Sequence, residues 1–220
     1  MVSKKIIKKI LEESISKCYT TYHYTNSMGK TVSLRVRSVK RPSTFIRHLH
    51  NARLTIPSSD RWRVLEPSLE QANVKYEDTR MFVTEHGSTI AIDKNNTIIS
   101  VCSYKNDDGV SVDSGGALME YAVSLGGDKL DTFDGNYSFY THMGFTPVSW
   151  IRFKDFDQSY IPEWVKGNKD NPNMFREEDI VFFKYTGRGS DYTLKEFYDK
   201  VPSVSGVDAY NEASMIRDKY

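Results

Sequence analysis

The stretch that decides the fold class is GGALMEYAVSLGGDKLDTFDGNYSFYTHMGFTPVSWIRF, residues 115–153. Its apolar residues first recur at helical spacing, and a glycine pair ends this helix before a short apolar run. A second helical segment ends at Gly144, and a run of strand-forming residues follows it. The stretch therefore predicts helix, strand, helix and strand over residues 117–125, 129–133, 136–143 and 145–153.

Three more strands are predicted directly before this stretch, at residues 80–84, 88–93 and 97–104. The two connectors between them are short and rich in turn-forming residues, which favours an antiparallel meander. The third strand is nearly all apolar, with Ile98 and Ile99 at its start. We therefore expect this strand to be central in the sheet and buried on both faces.

The remaining periodic segments lie on either side of this core. Alternating residues over 31–40 predict a half-buried strand, and a helix from Pro42 to about residue 53 would bury Phe45, Leu49 and Leu54. Other elements are predicted at 3–18 (an amphipathic helix), 67–75 (a short helix), 179–185 (a strand) and in the C-terminal tail (two short helices). The predicted domains are an N-terminal helix at 1–20, a main domain at 30–186 and a C-terminal helical extension at 187–220.

Composition sets the class of protein. The 220 residues are 39% hydrophobic and 27% charged, which is enough apolar material for one hydrophobic core. The predicted class is α+β, with a central mixed, mostly antiparallel sheet flanked by helices. No apolar run approaches the roughly 20 residues that cross a bilayer, and the N-terminus lacks a cleavage site. We therefore expect a cytoplasmic protein with no membrane partner.

Charge is distributed unevenly along the chain. The first 50 residues hold eleven Lys and Arg against two Glu, although the formal net charge of the chain is only +1. Five of these cations are close in sequence: Arg35, Arg37, Lys40, Arg41 and Arg47. The alternatives for this basic segment are a contact with nucleic acid, a contact with an acidic partner, and a face that is solvated or balanced by the acidic remainder of the chain.

The order of elements resembles the fold of the GNAT family of N-acetyltransferases. The residues that carry the resemblance are Gly115 at a helix start, Tyr140 on a short helix, and Gly144 with Phe145 at the start of the next strand. The segments PVSWIRF, YIPEWVKG and IVFFKYTG are also similar to GNAT-like proteins that phages and mobile elements of Gram-positive bacteria encode. If the protein is phage-encoded, the cytoplasm is that of the host.

The resemblance implies an acetyl-CoA or other acyl-CoA donor and an amine acceptor that the sequence does not identify. It places the pantetheine arm beside Val101, Cys102 and Ser103. The coenzyme A pyrophosphate would lie on the turn and helix start that follow, where unpaired amides attract an anion. The implied cofactor-binding residues of this region and beyond are Ser111, Ser114, Gly115, Gly116, Ala117 and Asn136.

Two residues depart from the family's pyrophosphate signature. Val110 stands where the pattern has Arg or Gln, and Asp113 stands where it has glycine. A carboxylate near a diphosphate weakens binding unless its side chain turns away, for example to cap the helix. The alternative interpretation of residues 113–117 is therefore a capped helix start without a ligand.

Tyr140 is the candidate acid for acyl transfer, because a neutral phenol can donate a proton to the departing thiolate. Asp131 is the candidate base, and Glu85 and His86 are expected on a turn at the far end of the sheet. The alternatives are a base that acts through water and a reaction without a base. The alternative for Tyr140 is a structural place in an aromatic cluster.

Other chemistry receives less support from the sequence. Cys102 lies in an apolar strand and is predicted to be an inert buried thiol, and the histidines lack metal-ligand spacing. The alternative function is a GNAT-fold module that binds another protein without catalysis, for example a phage inhibitor of a host protein or a virion component.

Overall fold

The computed structural model belongs to the α+β class, with two sheets and six α-helices among the residues that it describes. These residues are 19–25, 29–113, 115–156 and 177–220. The fold class predicted from the sequence is thereby confirmed. The predicted helix over 3–18, Ser114 and most of the long loop after residue 153 lie outside the described residues.

The strands, in chain order, are β1 (Thr20–Thr25), β2 (Thr31–Val39), β3 (Arg80–Thr84), β4 (Thr89–Ile92), β5 (Ile98–Cys102), β6 (Lys129–Phe133), β7 (Phe145–Ile151) and β8 (Ile180–Tyr185). The helices are α1 (Pro42–Leu54), α2 (Leu69–Lys75), α3 (Gly115–Ser124), α4 (Tyr137–His142), α5 (Leu194–Lys200) and α6 (Ala209–Lys219). Every predicted element that falls on described residues is present, with bounds that differ by a few residues.

The described residues form two compact units. The first unit takes in those of Met1–Ile56, Glu66–Lys94 and Ser100–Tyr121. The second unit consists of Pro57–Leu65, Asn95–Ile99 and Ala122–Tyr220. The predicted domain boundaries at residues 30–186 and 187–220 stay a prediction.

The first sheet has the strand order β1-β2-β3-β4-β5, and its pairs from β1 to β4 are antiparallel. This order confirms the predicted meander. Strand β1 was not predicted, because its polar residues lack the apolar alternation that identifies a buried strand. The prediction that the third meander strand is central was wrong, since β5 lies at the end of the order and its middle residues are only half-buried.

Helix α1 packs its apolar face into the core of the first unit. Pro42 occupies the first turn, where its missing N–H costs nothing, and Phe45 and Leu49 are fully buried as predicted. Leu54 was expected inside but is 47% exposed. It is the last residue of the helix, and the chain turns away through Thr55 at that point.

The second sheet has the order β6-β8-β7, and both of its pairs are antiparallel. A shift in register occurs between Pro147 and Ser149, since proline cannot donate to the strand ladder. One face of this sheet is covered by aromatic and aliphatic side chains of the second unit. They include Trp62, Phe133, Ile151, Phe153, Ile180, Phe182, Ala209 and Ala213.

Candidate functional site

Tyr140 lies on α4 in the core of the second unit and is only 8% exposed. Its ring contacts three phenylalanine rings, with centroids 5.1 Å from Phe139, 5.8 Å from Phe183 and 6.1 Å from Phe145. The expected aromatic cluster is therefore present. The ring is fixed by packing on several sides, which is also what a positioned acid requires.

The hydroxyl of Tyr140 has no hydrogen-bond partner among the residues that the structure describes. Burial raises the pKa of this phenol well above its ordinary value, and the negative charge of Asp131 raises it further. The phenol is therefore neutral at physiological pH. Because this hydroxyl donates to no described protein atom, it is available to donate to water or to a ligand.

Asp131, the candidate base, lies on β6 in the same unit as Tyr140. Its carboxylate forms an ion pair with Arg217 of α6, with Oδ1 and Nη1 3.5 Å apart. The Arg217 side chain is only 6% exposed and also stacks over the ring of Phe182. The two predicted catalytic residues thus lie in the same unit, and Asp131 has a cationic neighbour that the sequence did not reveal.

Strands β5 and β6 share one parallel bridge, between Thr97 and Lys129. A hydrogen bond from the Asp128 amide to the Asn96 carbonyl, 3.0 Å long, lies directly beside it. Strand β5 belongs to the first sheet and β6 to the second.

Ser100, in the middle of β5, has a left-handed backbone with φ of 55°. Its hydroxyl contacts the buried hydroxyl of Tyr76 at 2.8 Å, and its carbonyl accepts a 3.0 Å bond from the Thr89 hydroxyl. These contacts hold a conformation that costs a non-glycine residue about 1–3 kcal/mol. Irregularities of this kind in a strand re-aim the residues next to them and occur often beside functional sites.

The three residues predicted to meet the pantetheine arm follow Ser100. Val101 and Ser103 are half-buried, whereas Cys102 is buried with a free thiol. Burial raises the pKa of the Cys102 thiol to about 12, so it is protonated and unreactive at neutral pH. The structure therefore agrees with an inert thiol.

The predicted pyrophosphate turn precedes α3. Ser111 forms an isolated bridge with Lys105 and is exposed, Gly115 and Gly116 begin the helix half-buried, and Ala117 is fully buried. Asn136 lies elsewhere, in the second unit, where its amide donates to the Thr132 hydroxyl at 3.0 Å.

Asp113 is turned into the first unit and is only 6% exposed. Its Oδ2 accepts hydrogen bonds from the hydroxyls of Thr84 and Ser88, each 2.5 Å long, and its Oδ1 lies 2.8 Å from Nδ1 of His86. The carboxylate therefore binds the turn between β3 and β4. Its negative charge is satisfied by protein donors instead of facing outward.

This cluster was missed in the sequence, where His86 was placed on a turn and given no partner. A polar residue on either side of the turn, Thr84 and Ser88, was the signal that a buried acceptor lay nearby. The acceptor is Asp113, which lies 25 residues after Ser88 in the sequence. Only the folded arrangement identifies such a pair.

Two classes of site are not found in the part of the chain that the structure describes. No helix there has the length and apolar character needed to cross a membrane. The same residues contain no group of three or more His, Cys, Asp or Glu side chains that could hold a metal ion.

No family model, curated protein or solved structure matches this chain.

Proposed function

We propose that the protein is an acyl-CoA-dependent N-acyltransferase of the GNAT type, of phage or mobile-element origin, that uses acetyl-CoA or a related thioester as donor. Its acceptor is an amine, on a small molecule or on a protein partner. The proposal includes a cytoplasmic location, because acyl-CoA is an intracellular metabolite and Cys102 is a free thiol.

The observation that carries the proposal is the hydroxyl of Tyr140. Acyl transfer from a thioester to an amine breaks the carbon–sulfur bond and leaves a thiolate, which takes up a proton as charge develops on sulfur. A phenol that is neutral, packed in place and without a protein partner is suited to donate that proton. Burial and the charge of Asp131 raise the pKa of the phenol, so it stays protonated and can stabilise the developing thiolate by donating a hydrogen bond to it.

Two features of the first unit support the donor site. The Asp113 carboxylate accepts hydrogen bonds from Thr84 and Ser88, so it does not oppose a diphosphate on the turn before α3. Ser100, with its left-handed backbone, lies in β5 directly before Val101, Cys102 and Ser103, the residues predicted to meet the pantetheine arm. The amides at the start of α3 would then supply the positive potential that Val110 does not.

Thermal unfolding in the presence of acetyl-CoA tests the donor site. A ligand that binds only the native state stabilises it by RT ln(1 + [L]/Kd), about 2.7 kcal/mol at a hundredfold excess over Kd. We expect millimolar acetyl-CoA to raise Tm by several degrees, and an equal concentration of acetate to leave it unchanged. An unchanged Tm in acetyl-CoA would contradict the proposal.

Turnover tests the role of Tyr140 separately. Release of free coenzyme A, followed with a thiol reagent against a panel of amines, measures transfer directly. Tyr140→Phe should lower the rate by about 10²-fold or more while the shift in Tm persists, because the phenol acts only on the leaving group. Equal rates for the two proteins would remove Tyr140 from the mechanism.

A second candidate is a non-catalytic module that binds another protein. The ion pair between Asp131 and Arg217 favours it, since a carboxylate engaged with a guanidinium is a poor proton acceptor. An absent shift in Tm with acetyl-CoA, together with no release of coenzyme A, is the result expected for this module.

A further inference from the structure

A polar strip runs along one face of β1 and β2 in the first unit. The side chains on it come from three cross-strand pairs, because residues that alternate along a strand share a face. The pairs are Thr21 with Arg35, His23 with Ser33, and Thr25 with Thr31. Leu34 and Val36 point to the opposite face and are buried, so the strip is the outward side of these strands.

Tyr19 lies at one end of this strip, next to two arginines. The guanidinium carbon of Arg35 is 5.5 Å from the centroid of the Tyr19 ring, and that of Arg37 is 5.8 Å away. Arg37 Nε also donates to the Tyr19 hydroxyl at 3.2 Å. The three side chains thus form a cationic and planar cluster on the surface of the sheet.

Arg37 is held in place from its other side by helix α1. Its Nη2 lies 3.0 Å from Nε2 of His48. Burial lowers the pKa of His48, and the charges of Arg37 and Arg47 lower it further, so the ring is neutral and its Nε2 can accept the hydrogen bond. The guanidinium is therefore preorganised, which reduces the entropy that it loses on binding an anion.

The chain segment that forms the strip is basic. Residues 19–50 contain six Lys and Arg and no Asp or Glu. Arg35 does form a 2.6 Å ion pair with Glu85, but both side chains are about one-third exposed. Such a surface pair contributes little and can be exchanged for a phosphate. Lys40, Arg41 and Arg47, the other members of the predicted cluster, are exposed at and near the start of α1.

We propose that this strip binds single-stranded nucleic acid. The guanidinium groups would contact phosphates, and the ring of Tyr19 and the imidazole of His23 would stack with bases. A single strand is favoured over a duplex because planar groups on a sheet can stack only with bases that are not already paired and stacked. Along the strands, the strip from Tyr19 to Thr25 is about 20 Å long, which is enough for a few nucleotides. The proposal is independent of the acyltransferase function.

Fluorescence anisotropy with a labelled 12-nucleotide oligothymidylate, on the full-length protein, tests the strip. We expect the slope of log K against log salt to fall by about 1.4 in the Arg35→Gln/Arg37→Gln variant, since each phosphate contact on a single strand contributes about 0.7. Tyr19→Leu should weaken binding by about tenfold, and Tyr19→Phe, which keeps the ring, by much less.

The charge-matched control is Lys195→Gln/Lys219→Gln, which removes two exposed cations from α5 and α6. This variant should bind like the unmodified protein. Far-UV circular dichroism and Tm confirm that each variant is folded before it is compared. The proposal is overturned if neither strip variant changes binding, if a duplex binds as tightly as the single strand, or if polyglutamate competes as effectively as unlabelled oligothymidylate.

Discussion

The carboxylate of Asp113 accepts a 2.5 Å hydrogen bond from the hydroxyl of Ser88, and both groups are more than nine-tenths buried. The Ser88 hydroxyl in turn accepts a 2.8 Å bond from the Tyr104 amide. This chain of bonds connects the loop before α3 with the turn between β3 and β4 and with the end of β5. Its members depend on one another, so loss of the carboxylate leaves buried donors without acceptors.

Replacement of Asp113 should therefore destabilise the protein. Asp113→Ala leaves the hydroxyl hydrogens of Thr84 and Ser88 without an acceptor in the interior, and we expect the free energy of unfolding to fall by about 3 kcal/mol. Urea unfolding followed by circular dichroism measures this change. The control is Asp107→Ala, an exposed acid of the same loop, for which a change within about 0.5 kcal/mol is expected. Similar small effects from both variants would show that the Asp113 network is energetically unimportant.

Tyr140→Phe should leave stability unchanged to within about 0.5 kcal/mol, because the Tyr140 hydroxyl has no partner among the described residues. The matched variant is Tyr137→Phe on the same helix, where the lost hydroxyl donates to the Tyr192 carbonyl at 3.0 Å. Loss of this hydrogen bond should lower the free energy of unfolding by about 1 kcal/mol. Thermal and urea unfolding of the two variants side by side make the comparison, and a larger loss for Tyr140→Phe would mean that its hydroxyl has a structural partner.

Cys102 should resist modification while the protein is folded. The chain has two cysteines, so Cys18→Ser makes Cys102 the sole thiol. Because burial raises its pKa to about 12, the thiol should not react with a disulfide reagent between pH 7 and 9, and should react at once in urea. Rapid labelling of the native protein at pH 8 would contradict the burial of this side chain.

Stability should decline as the pH falls through the range in which His48 titrates. The folded-state pKa of His48 lies below 6.5, so the unfolded state binds more protons between the two values and is favoured as the pH falls. We expect the free energy of unfolding to decrease below about pH 6.5, and His48→Gln to reduce this decrease.

The control for this experiment is His23→Gln, because His23 is exposed on β1. Urea unfolding at several pH values between 5 and 8 provides the comparison. If the two variants showed the same pH dependence, His48 would not be the residue responsible.

Two glycines that are close in sequence allow the cost of a steric overlap to be measured separately from the cost of backbone strain. Gly187 and Gly189 both have left-handed backbones, with φ of 74° and 70°. A Cβ at Gly187 would meet no atom of the described residues within 4 Å, whereas one at Gly189 would overlap the Thr141 carbonyl oxygen. Gly187→Ala should cost about 1 kcal/mol, and Gly189→Ala clearly more, as judged by Tm and urea midpoints. Equal costs would place the carbonyl of Thr141 further away than the structure does.

Much of the fold could be predicted from local patterns. The meander from β3 to β5 follows from short connectors between apolar runs, and α1 follows from Pro42 and the spacing of Phe45 and Leu49. Strand β1 could not be predicted in this way. It is an edge strand whose outward side chains are polar, so its place depends on pairing with β2 and not on its own sequence.

Only part of the candidate site could be predicted from the sequence. Tyr140 and Asp131 were identified on their elements, and both belong to the second unit. The hydrogen bonds to Asp113 and the ion pair of Asp131 with Arg217 join residues that are far apart in the chain. The ion pair with Arg217 changes the chemistry expected of Asp131, because a carboxylate that is paired with a guanidinium is a poor proton acceptor.

The sequence by itself determined the α+β class, the order of the elements and which residue types could carry chemistry, because side-chain periodicity and turn residues act over a few neighbouring positions. The tertiary structure alone decided which polar groups are partnered. It turned Asp113 inward, set Arg217 beside Asp131 and left the Tyr140 hydroxyl without a partner among the described residues. The reason is physical: a buried charge or hydroxyl is stabilised by atoms within about 3 Å, and the packing of distant segments supplies those atoms.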